Sequence, residues 1–274
     1  MNHPMNEKLT GVPETLLIPL WARAVETGKP APIVQDEKAV EMVSRIDYDF
    51  SRFENSLLSQ VGVSVRTMLL DAAVRAFCEK NPGAMIVNLG AGLDTRYQRL
   101  ALKDIRWYEL DLPESIGLRR CFFTEDERYR FIERSFLDLS WMDEIEGEKR
   151  PLLCIAEGLF MYFTEAQIRG FVAAFADRFP DSEMLFEMLA PFLVGRGKHH
   201  ETVKKIDSAV DFTWGLKDSR EMTTWRPGIE FIEEWNYFDY YKERWKWFGV
   251  LARMPFFRPR LANRIVHLRF TNRT

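Results

Sequence analysis

The chain has 274 residues, of which 46% are hydrophobic and 29% are charged, and its formal net charge is -3 at pH 7. This composition excludes disordered and fibrous proteins, and it can supply one sizeable hydrophobic core without covalent cross-links. Binding to nucleic acid depends on a concentrated excess of Lys and Arg, which 38 basic against 41 acidic residues do not provide. We therefore expect no nucleic-acid partner.

The cysteines and the N-terminal residues indicate the cellular compartment. Cys78, Cys121 and Cys154 are odd in number and far apart, so the sequence predicts neither a disulfide framework nor a bound metal. The first residues lack the basic and apolar order of a secretory signal, and Pro19 and Arg23 interrupt the first apolar stretch. We expect a cytoplasmic protein without a membrane-spanning segment. The pattern indicates no oligomeric state.

No internal repeat, low-complexity tract or linker divides the chain, so we expect one domain over residues 1–274. In residues 1–62, apolar side chains recur at intervals of three and four, which predicts a helical cap with helices over 14–26 and 37–45. A third helix is predicted over 63–80, where an Asn-Pro-Gly sequence follows and ends it.

From residue 84 onward, short apolar runs bounded by turn residues alternate with helical patterns. This alternation predicts an α/β fold with a doubly wound, mostly parallel sheet. The predicted strands are 85–89, 106–110, 152–156, 183–188, 231–235 and 265–270. The stretch 191–228 fits the sheet pattern poorly, and we expect it to be an insertion over the active face.

A glycine turn follows the first predicted strand, and a predicted helix follows the turn. Gly90 and Gly92 allow backbone N–H groups and a helix N-terminus to approach a ligand, which indicates a nucleotide-like cofactor. A dinucleotide site needs a third Gly or Ala where this chain has Thr95. Asp111 follows Gly90 by 21 positions, close to the offset of about 20 at which an acid binds ribose. The combination favours S-adenosylmethionine over NAD.

Two more acids stand where strands are expected to end. Asp138 follows an apolar run, and Glu157 directly follows the predicted strand 152–156. Because ligands of open α/β sheets bind beyond the carboxyl ends of the strands, we expect Asp111, Asp138 and Glu157 to line one crevice. A helix cap is the alternative role for Asp138, since a short turn follows it.

Three blocks of this sequence together resemble the leucine carboxyl methyltransferase family. They are LGAGLDTR at 89–96, ELDLP at 109–113 and AEGLFMY at 156–162. The closer likeness is to the bacterial polyketide O-methyltransferase branch of the tetracenomycin type, and supporting stretches extend it over nearly the whole chain. Those stretches lie at 14–16, 23–26, 46–50, 65–67 and 212–215.

The resemblance implies a class I S-adenosylmethionine-dependent O-methyltransferase, with a helical cap at 1–62 and a cofactor-binding core at 63–190. The insertion 191–228 would then be a substrate lid, and 229–274 would hold the C-terminal strands. The cofactor-binding residues that it implies are Arg66, Leu89, Gly90, Gly92, Asp111, Leu112, Asp138, Leu139 and Glu157. No metal is implied.

Within that set, the resemblance assigns roles that match the chemistry of each side chain. Arg66 would pair with the methionyl carboxylate, since a guanidinium binds a carboxylate with two hydrogen bonds. Asp111 would hold the ribose hydroxyls, and Asp138 and Leu139 would frame the adenine. Glu157 would face the cofactor from the end of its strand. The product would be S-adenosylhomocysteine.

The substrate-side candidates are Tyr162, Trp214 and His200. A sulfonium is attracted to aromatic faces, which favours Tyr162 and Trp214 near the transferred methyl group. His200 could act as a base for a phenolic acceptor, whereas a carboxylate is already ionised at pH 7 and needs none. Arg23 in the cap could instead contact an anionic substrate.

We expect the function to be O-methylation of a carboxylate or phenolic hydroxyl of a small, polyketide-like molecule. One alternative is a protein methyltransferase that acts on a C-terminal leucine carboxylate. Another is a cofactor-binding scaffold without turnover, and an NAD-dependent dehydrogenase is a third. The intact glycine turn and the acids at the strand ends favour the enzyme over the scaffold.

Overall fold

The computed structural model describes residues 14–145, 147, 150–196 and 211–272. Its centre is a seven-stranded sheet in the order β3-β2-β1-β4-β5-β7-β6. Strands β1 to β5 are parallel, and β7 runs antiparallel to both β5 and β6. The strands are β1 (Met85–Leu89), β2 (Arg106–Asp111), β3 (Tyr129–Glu133), β4 (Leu152–Ala156), β5 (Glu183–Met188), β6 (Ile229–Asn236) and β7 (Arg264–Phe270).

The sequence pattern did not predict strand β3. It lies at the edge of the sheet and pairs only with β2 among the described strands. Its buried residues alternate with the exposed side chains of Arg130 and Glu133. An edge strand has only short apolar stretches, so its pattern lacks the continuous apolar run that marks a central parallel strand.

Helices cover both faces of the sheet. They are α1 (Leu17–Thr27), α2 (Glu37–Arg45), α3 (Leu57–Lys80), α4 (Arg96–Leu100), α5 (Pro113–Arg120), α6 (Glu165–Arg178), α7 (Lys246–Arg253) and α8 (Arg258–Leu261). Along β1, Ile86 packs into one apolar cluster, while Val87 and Leu89 pack into the other. Because successive side chains of a strand point to opposite faces, the sheet separates two cores, as in a doubly wound fold.

Helix α3 begins six residues before the predicted start of the third helix, at Leu57 rather than at residue 63. It therefore continues through the expected border between the cap and the core. By length and composition alone it could cross a membrane, but the core helix of a soluble protein meets the same criteria. In the structure it is largely buried, and it carries Gln60, Ser64 and Arg66 into the interior.

One buried carboxylate attaches the N-terminal helices to the rest of the fold. Asp36 caps α2 by accepting from Ala39 N at 2.9 Å, and it accepts from Arg23 Nε at 2.7 Å and Thr95 Oγ1 at 2.5 Å. Arg99 Nη1 of α4 lies 3.2 Å away. Burial opposes the ionisation of Asp36, but the two arginines together hold its pKa below the usual range.

The chain between β6 and β7, residues 237–263, is the segment that the sequence pattern described least well. It contains two 3-10 turns followed by α7 and α8, none of which was predicted. Its aromatic residues Phe238 and Trp245 pack against each other with ring centroids 4.5 Å apart. We call residues 237–263 the β6–β7 connection.

Asp36→Asn should destabilise the protein by about 3 kcal/mol or more, because it leaves two buried guanidinium groups without their shared carboxylate. Asp49→Asn is the matched control, since Asp49 caps an exposed 3-10 turn, and there the loss should stay below about 1 kcal/mol. Urea unfolding at neutral pH measures both losses.

The destabilisation caused by Asp36→Asn should depend on pH. Since the pKa of Asp36 is lowered on folding, its contribution is present at neutral pH and is lost as the pH falls below the ordinary aspartate range. The difference in unfolding free energy between the wild type and Asp36→Asn should therefore shrink on acidification. A difference that stays constant down to the acid range would contradict the role given to this ion pair.

Candidate active site

The chain turns sharply where β1 ends. Gly90 has φ +61° and Gly92 has φ +46°, in the left-handed region that favours glycine. A Cβ atom on Gly90 would lie 2.8 Å from Leu159 Cδ1, in the loop that follows β4. The turn thus lies closely against a neighbouring strand end, and its backbone borders a cavity.

The acid at the end of β2 is held by this turn. Asp111 Oδ2 accepts from Gly92 N at 2.7 Å, and Oδ1 accepts from Leu112 N at 2.7 Å. Burial raises the pKa of Asp111. The Ser115 side chain donates a third hydrogen bond, and since a carboxylate has about four lone-pair sites, Asp111 can still accept a hydrogen bond from a ligand in the cavity.

The cavity has a volume of about 880 Å³ and lies at the carboxyl ends of the parallel strands, where open α/β sheets bind ligands. Small-molecule sites commonly measure roughly 300–1,000 Å³, so this cavity is at the upper end of that range. At one end it is bordered by the glycine turn and Asp111. The N-terminal helix α1 also reaches the glycine turn, since Arg23 donates to the carbonyl of Leu93, and the other end is lined by the β6–β7 connection.

A chain of ion pairs forms the floor between the two ends. Arg66 Nε donates to Glu157 Oε1 at 2.7 Å, and its Nη1 donates to Glu187 Oε2 at 2.7 Å. Arg96 Nη2 donates to Glu157 Oε2 at 2.6 Å. Burial opposes ionisation of Glu157, but the two guanidinium groups hold its pKa below the usual range. Glu157 therefore joins helix α3 to helix α4.

Glu187 accepts a hydrogen bond from a second residue besides Arg66. Tyr237 of the β6–β7 connection donates its hydroxyl proton to Glu187 Oε1 at 2.9 Å. Burial and the neighbouring Glu187 raise the pKa of Tyr237 well above its usual value, so the phenol stays protonated at neutral pH. Both oxygens of Glu187 are thereby engaged, and Arg66 is fixed in position at the centre of the cavity floor.

Sequence reasoning did not identify several of these buried polar residues. Asn88 lies within the otherwise apolar strand β1, and Glu187 lies within β5, in which every residue after the first is buried. Glu109 of β2 is likewise fully buried, and it pairs with Arg119 at 2.5 Å. A polar residue within a buried strand is a signal that could have identified all three, since such a group needs a partner.

Most of the residues predicted to bind the cofactor line the cavity. They are Arg66, Gly90, Gly92, Asp111, Leu112 and Glu157. Leu89 is fully buried in the core directly behind the glycine turn and does not border the cavity. Arg23 also borders it, but its guanidinium is already bound by Asp36 and by the carbonyl of Leu93.

Asp138 and Leu139 are not among the residues that line the cavity. Asp138 caps a 3-10 turn, with Oδ1 accepting from Ser140 N at 3.2 Å and from Ser140 Oγ at 2.7 Å. Leu139 is 40% exposed to solvent. The structure thus gives Asp138 the alternative role of a helix cap.

The wall next to the glycine turn comes instead from residues immediately before that cap, Arg134, Ser135 and Phe136. Phe136 is buried and packs edge-on against Phe163 with ring centroids 4.7 Å apart. The prediction that Asp138 and Leu139 frame the adenine therefore stays a prediction, while residues 134–136 are the ones that line the cavity in the structure.

The three residues predicted to contact the substrate differ in their position relative to the cavity. Tyr162 borders the cavity, and burial raises its pKa to about 12. Trp214 does not border it, since its ring is buried and packs among Phe160, Phe186 and Trp225. Phe212, two positions earlier, is one of the described insertion residues that line the cavity. His200 lies outside the described residues.

Aromatic side chains enclose the end of the cavity away from the glycine turn. Tyr162 packs on Phe212 with ring centroids 5.7 Å apart. The other aromatic residues that line this end are Phe192, Tyr237, Phe238, Trp245 and Phe248. Asn263 adds an amide whose Oδ1 accepts from Ala190 N at 2.8 Å, which leaves its Nδ2 as a donor. This end suits a flat, apolar ligand with a polar oxygen.

Comparison with known proteins identifies the family. The family model of leucine carboxyl methyltransferases matches residues 17–176. The protein is 33% identical over 233 residues to the tetracenomycin polyketide synthesis O-methyltransferase TcmP of Streptomyces glaucescens, covering 85% of each chain. The protein belongs to the leucine carboxyl methyltransferase family. It is an S-adenosylmethionine-dependent methyltransferase, as the sequence predicted.

One further relative agrees with this assignment, and one solved structure shares the fold. The S-adenosyl-L-methionine-dependent methyltransferase dpfgK of Gibberella zeae is 32% identical over 249 residues, covering 82% of each chain. A crystal structure of a DUF574 family protein from Streptomyces avermitilis superposes with a TM-score of 0.55 at 14% identity, covering 92% of this chain and 96% of that one. The second similarity concerns the fold alone and confirms the predicted α/β architecture.

Trp214→Ala should act on stability rather than on catalysis. Removing a fully packed indole from the core should cost about 3–5 kcal/mol, while the kcat/KM of the folded fraction should stay unchanged. Trp247→Ala is the control, because the Trp247 side chain is 74% exposed and its loss should leave stability unchanged. Thermal unfolding and methyl-transfer kinetics separate the two. A stable Trp214→Ala enzyme with a lowered kcat would show that Trp214 contacts the substrate.

Proposed function

We propose that this enzyme methylates an oxygen of a small, aromatic, polyketide-like acceptor, and that the reacting group is a carboxylate. The relatives support the first part, since TcmP is named for polyketide synthesis. The observation that carries the second is the position of Tyr162 at the acceptor end of the cavity, where its hydroxyl can donate a hydrogen bond to a carboxylate oxygen. Burial raises the pKa of Tyr162 to about 12, so it stays protonated and remains a donor at neutral pH.

The residues fit the cofactor at the glycine end of the cavity. Gly90 and Gly92 border the cavity without a side chain, and Asp111 can accept from the vicinal hydroxyls of a ribose. We assign the adenine to the wall formed by Ser135 and Phe136 rather than to Asp138. Bound there, S-adenosylmethionine supplies a methyl group on a positively charged sulfur.

Arg66 is suited to hold an amino-acid carboxylate at the centre of the floor. Its Nε and Nη1 atoms bind Glu157 and Glu187, and Nη2 takes part in neither ion pair. The two glutamates neutralise the buried guanidinium and orient it, so that a remaining N–H group can face the cavity. Arg66 thus acts as a positioning residue for the donor, and Tyr237 supports it through Glu187.

The other end of the cavity would align the acceptor. Tyr162 and the Nδ2 atom of Asn263 can donate hydrogen bonds to the oxygen of a carboxylate that is not methylated. The surrounding aromatic rings exclude water from a flat acceptor and hold it in one orientation. Because a carboxylate is ionised at pH 7, alignment and desolvation account for the catalysis, and no base has to be provided.

Asp111→Ala should weaken binding of S-adenosylhomocysteine by about 10- to 150-fold, the range for a hydrogen bond to a charged group of roughly 1.5–3 kcal/mol. Asp138→Ala should change this affinity by less than about 3-fold, because Asp138 caps a turn outside the cavity. Isothermal calorimetry compares the two folded variants. A larger loss for Asp138→Ala than for Asp111→Ala would reverse our assignment of the adenine wall.

The reacting group is tested with matched acceptors. A labelled methyl donor should transfer to a polycyclic aromatic acid, and blocking the acid as its methyl ester should abolish transfer even where phenolic hydroxyls remain. A peptide ending in leucine tests the alternative that the acceptor is a protein. Transfer to the ester or faster transfer to the peptide would reject the proposal.

Tyr162→Phe should lower kcat/KM for the acid by about 10-fold or more, since a hydrogen bond to a charged oxygen is lost. Tyr97→Phe is the control, because Tyr97 stacks on Tyr129 at 4.2 Å and does not line the cavity. The rate should not change between about pH 6 and pH 9, where a carboxylate is ionised and Tyr162 is protonated. A rate that rises tenfold per pH unit would instead indicate ionisation of a phenolic acceptor.

A further inference from the structure

The β6–β7 connection has two different faces. Its inner face lines the acceptor end of the cavity through Trp245, Phe248 and Leu261. On α7, Gly249 and Ala252 are buried on this inner side. Trp247 and Val250 lie on the opposite side, with 74% and 59% of their surface exposed. The segment is therefore amphipathic, and packing within the protein explains only one of its faces.

The outer face presents a continuous apolar stripe. Trp247, Val250 and Met254 are spaced by three and four residues, so they lie on one side of α7. Phe256 follows in the turn to α8 and is 65% exposed. Trp247, Phe256 and Val250 are the three most exposed large hydrophobic residues in the described part of the chain. A cluster of this kind marks an interaction surface, whereas single exposed residues need no explanation.

Basic residues surround this stripe. Residues 241–260 contain six Lys or Arg and one acidic residue, Glu243, although the whole chain has a net charge of -3. Two of the six are neutralised, Arg244 by Glu26 and Arg258 by Asp239. Arg253 is half-buried and donates to the carbonyl of Phe238, so it belongs to the inner side. The remaining three, Lys242, Lys246 and Arg260, are exposed. We call the apolar stripe together with these three residues the outer face of the connection.

We propose that the outer face binds the surface of an anionic lipid bilayer. Exposed Trp and Phe beside Lys and Arg are the features of an amphipathic segment that lies in the membrane interface. The aromatic rings would enter the region between headgroups and acyl chains, and the basic side chains would contact the anionic headgroups. No segment would cross the bilayer.

The charge on the outer face argues against a second copy of the chain as the occupant. A symmetric dimer places the same surface of both subunits together, so Lys246 and Arg260 would approach their own equivalents. Like charges at close range are unfavourable in an interface, whereas an anionic bilayer neutralises them. Bound in this way, the enzyme would hold the acceptor end of its cavity next to the bilayer, because the same connection forms that wall.

The test is sedimentation of the full-length protein with vesicles. Phosphatidylcholine vesicles are compared with vesicles that also contain phosphatidylglycerol. The wild type should bind the anionic vesicles and bind pure phosphatidylcholine much less. High salt should release the protein in part, because it screens the basic residues but not the apolar contact.

Two double variants test the electrostatic and the apolar contributions to vesicle binding separately. Lys242→Glu with Lys246→Glu should lower partitioning by about 25-fold or more, since each basic residue near an anionic surface contributes about fivefold. Trp247→Ser with Phe256→Ser should abolish the binding that remains at high salt. The matched controls are Lys103→Glu and Val40→Ser, exposed residues away from the connection, and both should bind like the wild type.

Three results would overturn the proposal. The first is that the wild type does not bind anionic vesicles. In that case the outer face would bind an acidic protein instead of a bilayer. The second is equal binding by the control and the outer-face variants. The third is a dimer in analytical ultracentrifugation that Trp247→Ser with Phe256→Ser dissociates, because it would assign the stripe to a second copy. Circular dichroism of each variant verifies that it is folded.

Discussion

The structure depends on the need to neutralise several arginine side chains buried at the carboxyl edge of the sheet. Arg66 and Arg96 share Glu157, and the chain of contacts continues through Asp71 and Arg99 to Asp36. Removing one partner from such a chain leaves an uncompensated buried charge, which is far more costly than losing an exposed pair. The network therefore requires the N-terminal helices, the glycine turn and the strand ends to be assembled together.

The same network fixes Arg66 in position before a ligand binds. Arg66 lies where the two ends of the cavity meet, and Glu157 and Glu187 hold it from two sides. A guanidinium that is fixed before the ligand arrives loses little conformational entropy on binding. Tyr237 extends this support into the β6–β7 connection, whose inner face forms the acceptor wall. Donor and acceptor would thus be aligned by groups that share one set of hydrogen bonds.

Much of the fold could be predicted because its signals are local. The glycine turn and the alternation of apolar runs with helical patterns specify a doubly wound sheet whatever the distant contacts are. The edge strand β3 was missed because its apolar residues are few. The helices of the β6–β7 connection were missed because their apolar residues face both the cavity and the solvent, so that no single apolar face marks them. Asp138 shows the same limit within the site, since an acid after a strand has the same local pattern whether it caps a turn or faces a ligand.

The sequence by itself determined the fold class, the family, the cofactor and the position of the glycine turn with Asp111, because each depends on residues close together in the chain. Only the tertiary structure decided which side chains meet. It brought Glu187 and Tyr237 to Arg66, placed Trp214 in the core, and turned one face of the β6–β7 connection outward. These outcomes depend on packing between segments far apart in the chain, which the periodicity of a single segment does not encode.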